Sequence, residues 1–66
     1  MTFAEKVKYV RATLQLSQKQ LAEKLNVTYV SVSRWETQGI EPQFLVMSRF
    51  NAFCKENGID FEKLED

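Results

Sequence analysis

The sequence predicts an all-α domain, a compact bundle of about five short helices. Three observations carry that expectation. Apolar residues recur at spacings of three and four, and no stretch alternates apolar and polar residues over the length of a strand. The 66 residues also hold only two Gly and one Pro, at Gly39, Gly58 and Pro42, which leaves few places to turn. A chain this short forms one domain, residues 1–66, and buries roughly 60% of the surface its unfolded form exposes. Its stability therefore has to come from closely packed elements, for which an apolar content of 44% suffices.

In the first helix, expected over residues 2–14, Phe3, Val7, Val10 and Leu14 form one apolar stripe, with Lys6, Lys8 and Arg11 away from it. Thr2 opens it with Glu5 three residues on, the capping-box spacing that satisfies two orphan N–H groups. Ser17 and Gln20 repeat that spacing before a second helix, Gln18 to Leu25, whose inward face is Leu21, Ala22 and Leu25. Asn26 then ends it, as the commonest residue after glycine to accept the left-handed conformation. Val27 returns to the core, and Thr28 caps a third helix from Tyr29 to about Thr37. Gly39 stops that helix and Pro42 is expected to open the fourth. Between Gln43 and Asn57 no breaker intervenes; Val46, Phe50 and Phe53 mark the main stripe, widened by Phe44, Met47 and Cys54. Gly58 closes this helix, and Asp60 is placed to cap a last turn carrying Phe61 and Leu64.

Several kinds of chemistry drop out. Without His, and with Cys54 as the single cysteine, the chain offers no histidine base, intramolecular disulfide or metal cluster. Cys54 reads as a small buried apolar residue, and its solitude fits a reducing, cytoplasmic setting. The longest apolar run is the four residues Phe44 to Met47, far short of the ~20 that span a bilayer, so no membrane partner is expected. No phosphate-cradling Gly loop occurs, and the pockets of ~300–1,000 Å³ that hold small ligands are hard to enclose in so short a chain. The acidic end, Glu62, Glu65 and Asp66, reads as a solvated terminus. No enzyme activity, cofactor, metal or small-molecule ligand is expected.

Two short helices joined by a tight turn, Gln18 to Leu25 and Tyr29 to Thr37, have the outline of a helix-turn-helix over residues 18–37. Ala22 is small where the two would cross, Asn26 sits at the turn, and Val27, Val32 and Trp35 face back onto the second helix. The run from Leu16 to Glu36 begins Leu-Ser-Gln, carries Leu-Ala in the second helix and closes on Arg-Trp-Glu, with Pro42 soon after. It resembles the Cro/repressor type of helix-turn-helix, the xenobiotic response element (XRE) family. Arg11 upstream and the Asn-Gly-Ile segment at residues 57–59 also fit, so the resemblance covers nearly the whole chain.

The resemblance implies a lambda-repressor-like fold and sequence-specific binding of double-stranded DNA, as in a transcriptional repressor of bacterial, phage or mobile-element type. Its third helix would enter the major groove and its second would cross the backbone. Carried over by position, Tyr29, Val30, Ser33 and Arg34 face the bases; Gln18 meets phosphate or an adjacent base; Lys19, Thr28 and Ser31 lie near phosphates. The chemistry agrees. Arg34 can pair bidentately with guanine, Val30 can meet a thymine methyl, and Ser33 can donate or accept. The family's recognition helices often carry several Gln, where this sequence has Tyr29, Val30 and Arg34, so a relative's operator does not transfer. Asn26 also stands where a Gly is usual.

Other roles compete at some positions. Trp35 reads as core packing. Arg11 and Glu36 resemble a family pair that ties the first helix to the end of the third; side chains lying far apart would show the third helix out of register. Arg34 has a second reading, folded back onto a carboxylate such as Glu23. Leu45, Ile59, Phe61 and Leu64 form an apolar excess near the C-terminus, either a homodimer surface or a small core closing on itself. Two further functions share these residues: a DNA-targeting or antitoxin-like module of a larger assembly, and a protein-interaction domain that has lost DNA binding.

Nine basic and nine acidic residues give a net charge of zero, which alone argues against a nucleic-acid partner. The distribution reverses that. Residues 1–55 balance at +4 and residues 56–66 at −4, so a fold that keeps the C-terminus off the third helix presents a basic face to DNA.

Overall fold

At Thr2 and again at Ser17 a hydroxyl accepts the backbone N–H three residues on, at 3.2 and 3.0 Å. The Glu5 and Gln20 side chains return the bond to the cap's own N–H, at 2.8 Å each. These capping boxes start the first two of five helices in a computed structural model that describes residues 1–64: α1 Phe3–Leu14, α2 Gln18–Leu25, α3 Tyr29–Gln38, α4 Phe44–Glu56 and α5 Phe61–Leu64. Thr28 caps α3, accepting from the Ser31 N–H, and Asp60 accepts from the Glu62 N–H at the start of α5.

The first three helices each end on a left-handed residue: Gln15 at φ 56°, Asn26 at 58° and Gly39 at 66°. A side chain at Gly39 would meet nothing within 4 Å, so the backbone conformation, not crowding, calls for glycine there. Replacing Ser17 with Ala removes the cap that fixes where α2 starts. Thermal unfolding should show a loss of about 1 kcal/mol, with a helical spectrum otherwise unchanged.

The core is built from the inward faces of α1 to α4: Val7 and Val10, Leu21, Ala22 and Leu25, Val32 and Trp35, then Phe50 and Cys54, closed by Ile59. A chain of rings crosses it. Phe3 meets both Trp35 and Phe50 edge-on, at 5.5 and 5.0 Å between centroids, and Phe50 stacks on Phe61 at 6.4 Å. Tyr9 closes on Phe61 from α1, and the Lys6 ammonium lies 5.3 Å from its ring centre. Through these contacts α5 rests on α1 and α4.

The fourth helix departs from expectation in two respects. Pro42 does not open it: Gln43 is extended, with ψ 163°, and helical bonding begins when the Met47 N–H donates to the Gln43 carbonyl. Pro42 thus lies one residue before the cap. Phe44 does not widen the apolar stripe but is 86% exposed. At 3.6 residues per turn it sits about 120° around α4 from Phe50, beyond reach of the core. The C-terminal apolar excess divides. Ile59 is buried and Phe61 is held in the ring chain, whereas Leu45 and Leu64 stay exposed. Of the acidic end, Glu65 and Asp66 lie outside the described residues.

Candidate nucleic-acid interface

One side of α3 carries Val32 and Trp35 into the core, at 0% and 4% exposure. The opposite side is fixed by that choice. Tyr29 and Val30 are 56% and 42% exposed, Arg34 is exposed and Ser33 half-buried, so the four form one outward row. Trp35 stays out of that row, edge-on against Phe3. Arg34 makes no ion pair among the described residues, with Glu23 or any other carboxylate.

Thr37 belongs to the same row, three residues beyond Arg34, and sequence reasoning did not single it out. Its hydroxyl donates to the Ser33 carbonyl at 2.8 Å, leaving its oxygen as an outward acceptor. The spacing alone carries the signal, since Thr37 follows Ser33 by one helical turn.

The start of α2 lies beside the start of α3. An open groove between them is lined by Arg11, Ser17, Gln18, Lys19 and Tyr29. Both helix starts bring first-turn N–H groups and a positive dipole end to this region, which favours anions. Lys19 is exposed at its rim. Thr28 and Ser31 are already engaged with each other: the Thr28 hydroxyl oxygen takes the Ser31 N–H, and the two hydroxyls are 3.2 Å apart.

Behind this surface, Glu36 joins three helices. Arg11 donates to it twice, from Nε at 2.6 Å and from Nη2 at 2.8 Å, and gives Nη1 to the Leu16 carbonyl. The Gln18 amide donates to the same carboxylate at 3.3 Å. The Glu36 side chain is 6% exposed and that of Arg11 26%, so the pair is shielded from solvent. The bonds from Arg11, supported by Gln18, hold the Glu36 carboxyl below its ordinary value against the opposing effect of burial. Glu36 in turn raises Arg11. Cys54, by contrast, has its thiol pushed up to about 11 by burial, which keeps it protonated and unreactive.

Residues 7–59, which span α2, α3, α4 and most of α1, match a family model described as helix-turn-helix. The chain belongs to the XRE-type helix-turn-helix family. This XRE-type chain is 40% identical over 42 residues to the HTH-type transcriptional regulator DicA of Escherichia coli (strain K12). The similarity covers 64% of the chain and 31% of DicA, so the chain matches about a third of that relative's length. No solved structure matches it. Within the described residues of this XRE-type domain, no helix is long and apolar enough to cross a membrane.

Proposed function

We propose that the chain binds double-stranded DNA in a sequence-dependent manner and regulates transcription as a repressor, without enzymatic activity. In this reading α3 enters the major groove, where Tyr29, Val30, Ser33 and Arg34 meet base edges, and α2 crosses the backbone. Gln18 and Lys19 contact phosphate from the start of α2, and Thr28 and Ser31 from the start of α3. In this reading the chain works in the cytoplasm, alongside the DNA it binds. What carries the reading is the outward row on α3, held against α1 and α2 through Glu36, in a chain of this family. The name of the relative DicA, a transcriptional regulator, supports it as well.

The test separates the two kinds of contact. Arg34→Ala should relax preference at one base pair, with a loss of about 1–3 kcal/mol on the preferred site and little change on others. Lys19→Ala should weaken all duplexes alike and lower the slope of log affinity against log salt by about 1. Binding that ignores salt in the parent chain would remove the proposal's electrostatic basis.

A further inference from the structure

Of the apolar residues on α3, Val32 and Trp35 enter the core while Tyr29 and Val30 stay outside. The two outward ones have different neighbours. Tyr29 lines the groove at the start of α2 with Gln18 and Lys19, and Val30 does not. Val30 instead precedes Arg34 by four residues, which sets the two about 40° apart around the helix and about 6 Å apart along it. Tyr29 is about 140° around from Arg34. Long side chains on a helix lean toward its N-terminus, which brings the Arg34 guanidinium back over the turn that holds Val30. No carboxylate draws it elsewhere. The residues three and four away on α3 are Val30, Ser31, Thr37 and Gln38, and Arg34 forms no ion pair among the described residues.

We propose that Val30 and Arg34 read one base step together, a thymine followed on its 3′ side by a guanine. The proposal rests on the DNA-binding reading above and names the step that reading leaves open. A valine side chain has no donor or acceptor, so the group it selects in the major groove is the thymine C5 methyl. The O6 and N7 atoms of guanine take the arginine fork. Successive bases of a strand are ~3.4 Å apart, less than the rise between the two residues, and the lean of Arg34 closes the difference. On one strand the methyl of a thymine borders the O6 and N7 edge of the guanine that follows it, so adjacent side chains meet adjacent groups of the DNA. Val30 suits the task because a β-branched residue in a helix holds nearly one rotamer and presents its methyls with little to lose on binding. The same chemistry admits a second substrate. 5-Methylcytosine carries its methyl at the same place as thymine, so a methylated CG step is read like TG, and an unmethylated one is not.

Sites selected by the full chain from random duplex DNA, then remade with single-base changes, test this. The guanine whose preference Arg34→Ala abolishes should follow a thymine. Deoxyuridine in place of that thymine removes the methyl alone and should weaken binding about fourfold, the worth of one buried methyl group. 5-Methylcytosine at the same position should bind about fourfold more tightly than cytosine. Val30→Ser should hold the members of each pair within about 1.5-fold of one another, and Tyr29→Ala should keep the parent's discrimination. Val30 is exposed, so Val30→Ser keeps its fold, which its circular dichroism melt verifies. A guanine not preceded by thymine, affinity indifferent to the methyl, or discrimination that survives Val30→Ser or vanishes in Tyr29→Ala overturns the proposal. Each of these can occur with a defined motif, so they refute the paired reading alone; a pool with no motif refutes the DNA-binding reading and this one with it.

Discussion

Glu36→Ala is expected to cost the fold about 3 kcal/mol. Breaking a buried pair by removing one partner typically costs ~3–5 kcal/mol, and the lower end applies because Arg11 keeps 26% exposure and recovers some solvation. A domain of 66 residues has a total of only ~3–10 kcal/mol, so this loss takes from about a third to all of it. Urea titration followed by circular dichroism measures this. The same pair gives stability a dependence on pH. The carboxyl of Glu36 is held below its ordinary value of 4.5 in the folded state, so its contribution is complete above about 4.5 and is lost as pH falls through the lowered value. The parent should therefore lose stability in acid, and Glu36→Gln, which starts lower, should lose less over the same range. A shallow slope should remain in that variant, because the Thr2 N–H holds Glu5 down in the same direction.

Phe50→Ala is expected to cost about 3–5 kcal/mol, the usual range for truncating a buried aromatic. Phe50 is 1% exposed and lies between Phe3 and Phe61, so its loss leaves a void and removes one of the contacts that hold α5. Phe44→Ala, six residues earlier on the same helix, should change stability by less than about 0.5 kcal/mol. The contrast tests the rotational setting of α4 directly. Equal effects of the two substitutions in denaturant titration would mean that the helix presents a different face to the core.

Local chemistry made the first three helices legible. Thr2 with Glu5, Ser17 with Gln20, and Asn26 each act on backbone within four residues, so the sequence holds both partners of every such bond. The outward row on α3 follows from the same periodicity that buries Val32 and Trp35. Where partners lie far apart in sequence, reading by pattern weakened. Phe44 looked apolar enough for the core, but its place depends on the phase of α4 against helices more than twenty residues away. Ile59 and Phe61 read equally as a contact surface or a small core, because α1, which supplies Tyr9 against Phe61, is some fifty residues earlier. Pro42 misled for a local reason: it suits a first helical residue, but it is equally at home in the extended approach to a cap. The bond from Gln18 to Glu36 spans eighteen residues and was invisible to spacing arguments.

The acidic segment that begins at Glu56 leads into α5, which packs on α1 and α4, whereas Lys19 and Arg34 are exposed on α2 and α3. Among the described residues, the acidic Glu62 of α5 and the basic Lys19 and Arg34 thus stand on different helices.

The outward row on α3 is proposed to read a DNA sequence. Selection from a pool of random duplex DNA, carried through successive rounds with the full chain, tests it most directly. One defined motif should be enriched, with a position of strong guanine preference that Arg34→Ala abolishes. A pool that emerges with no motif enriched over its starting composition would contradict it.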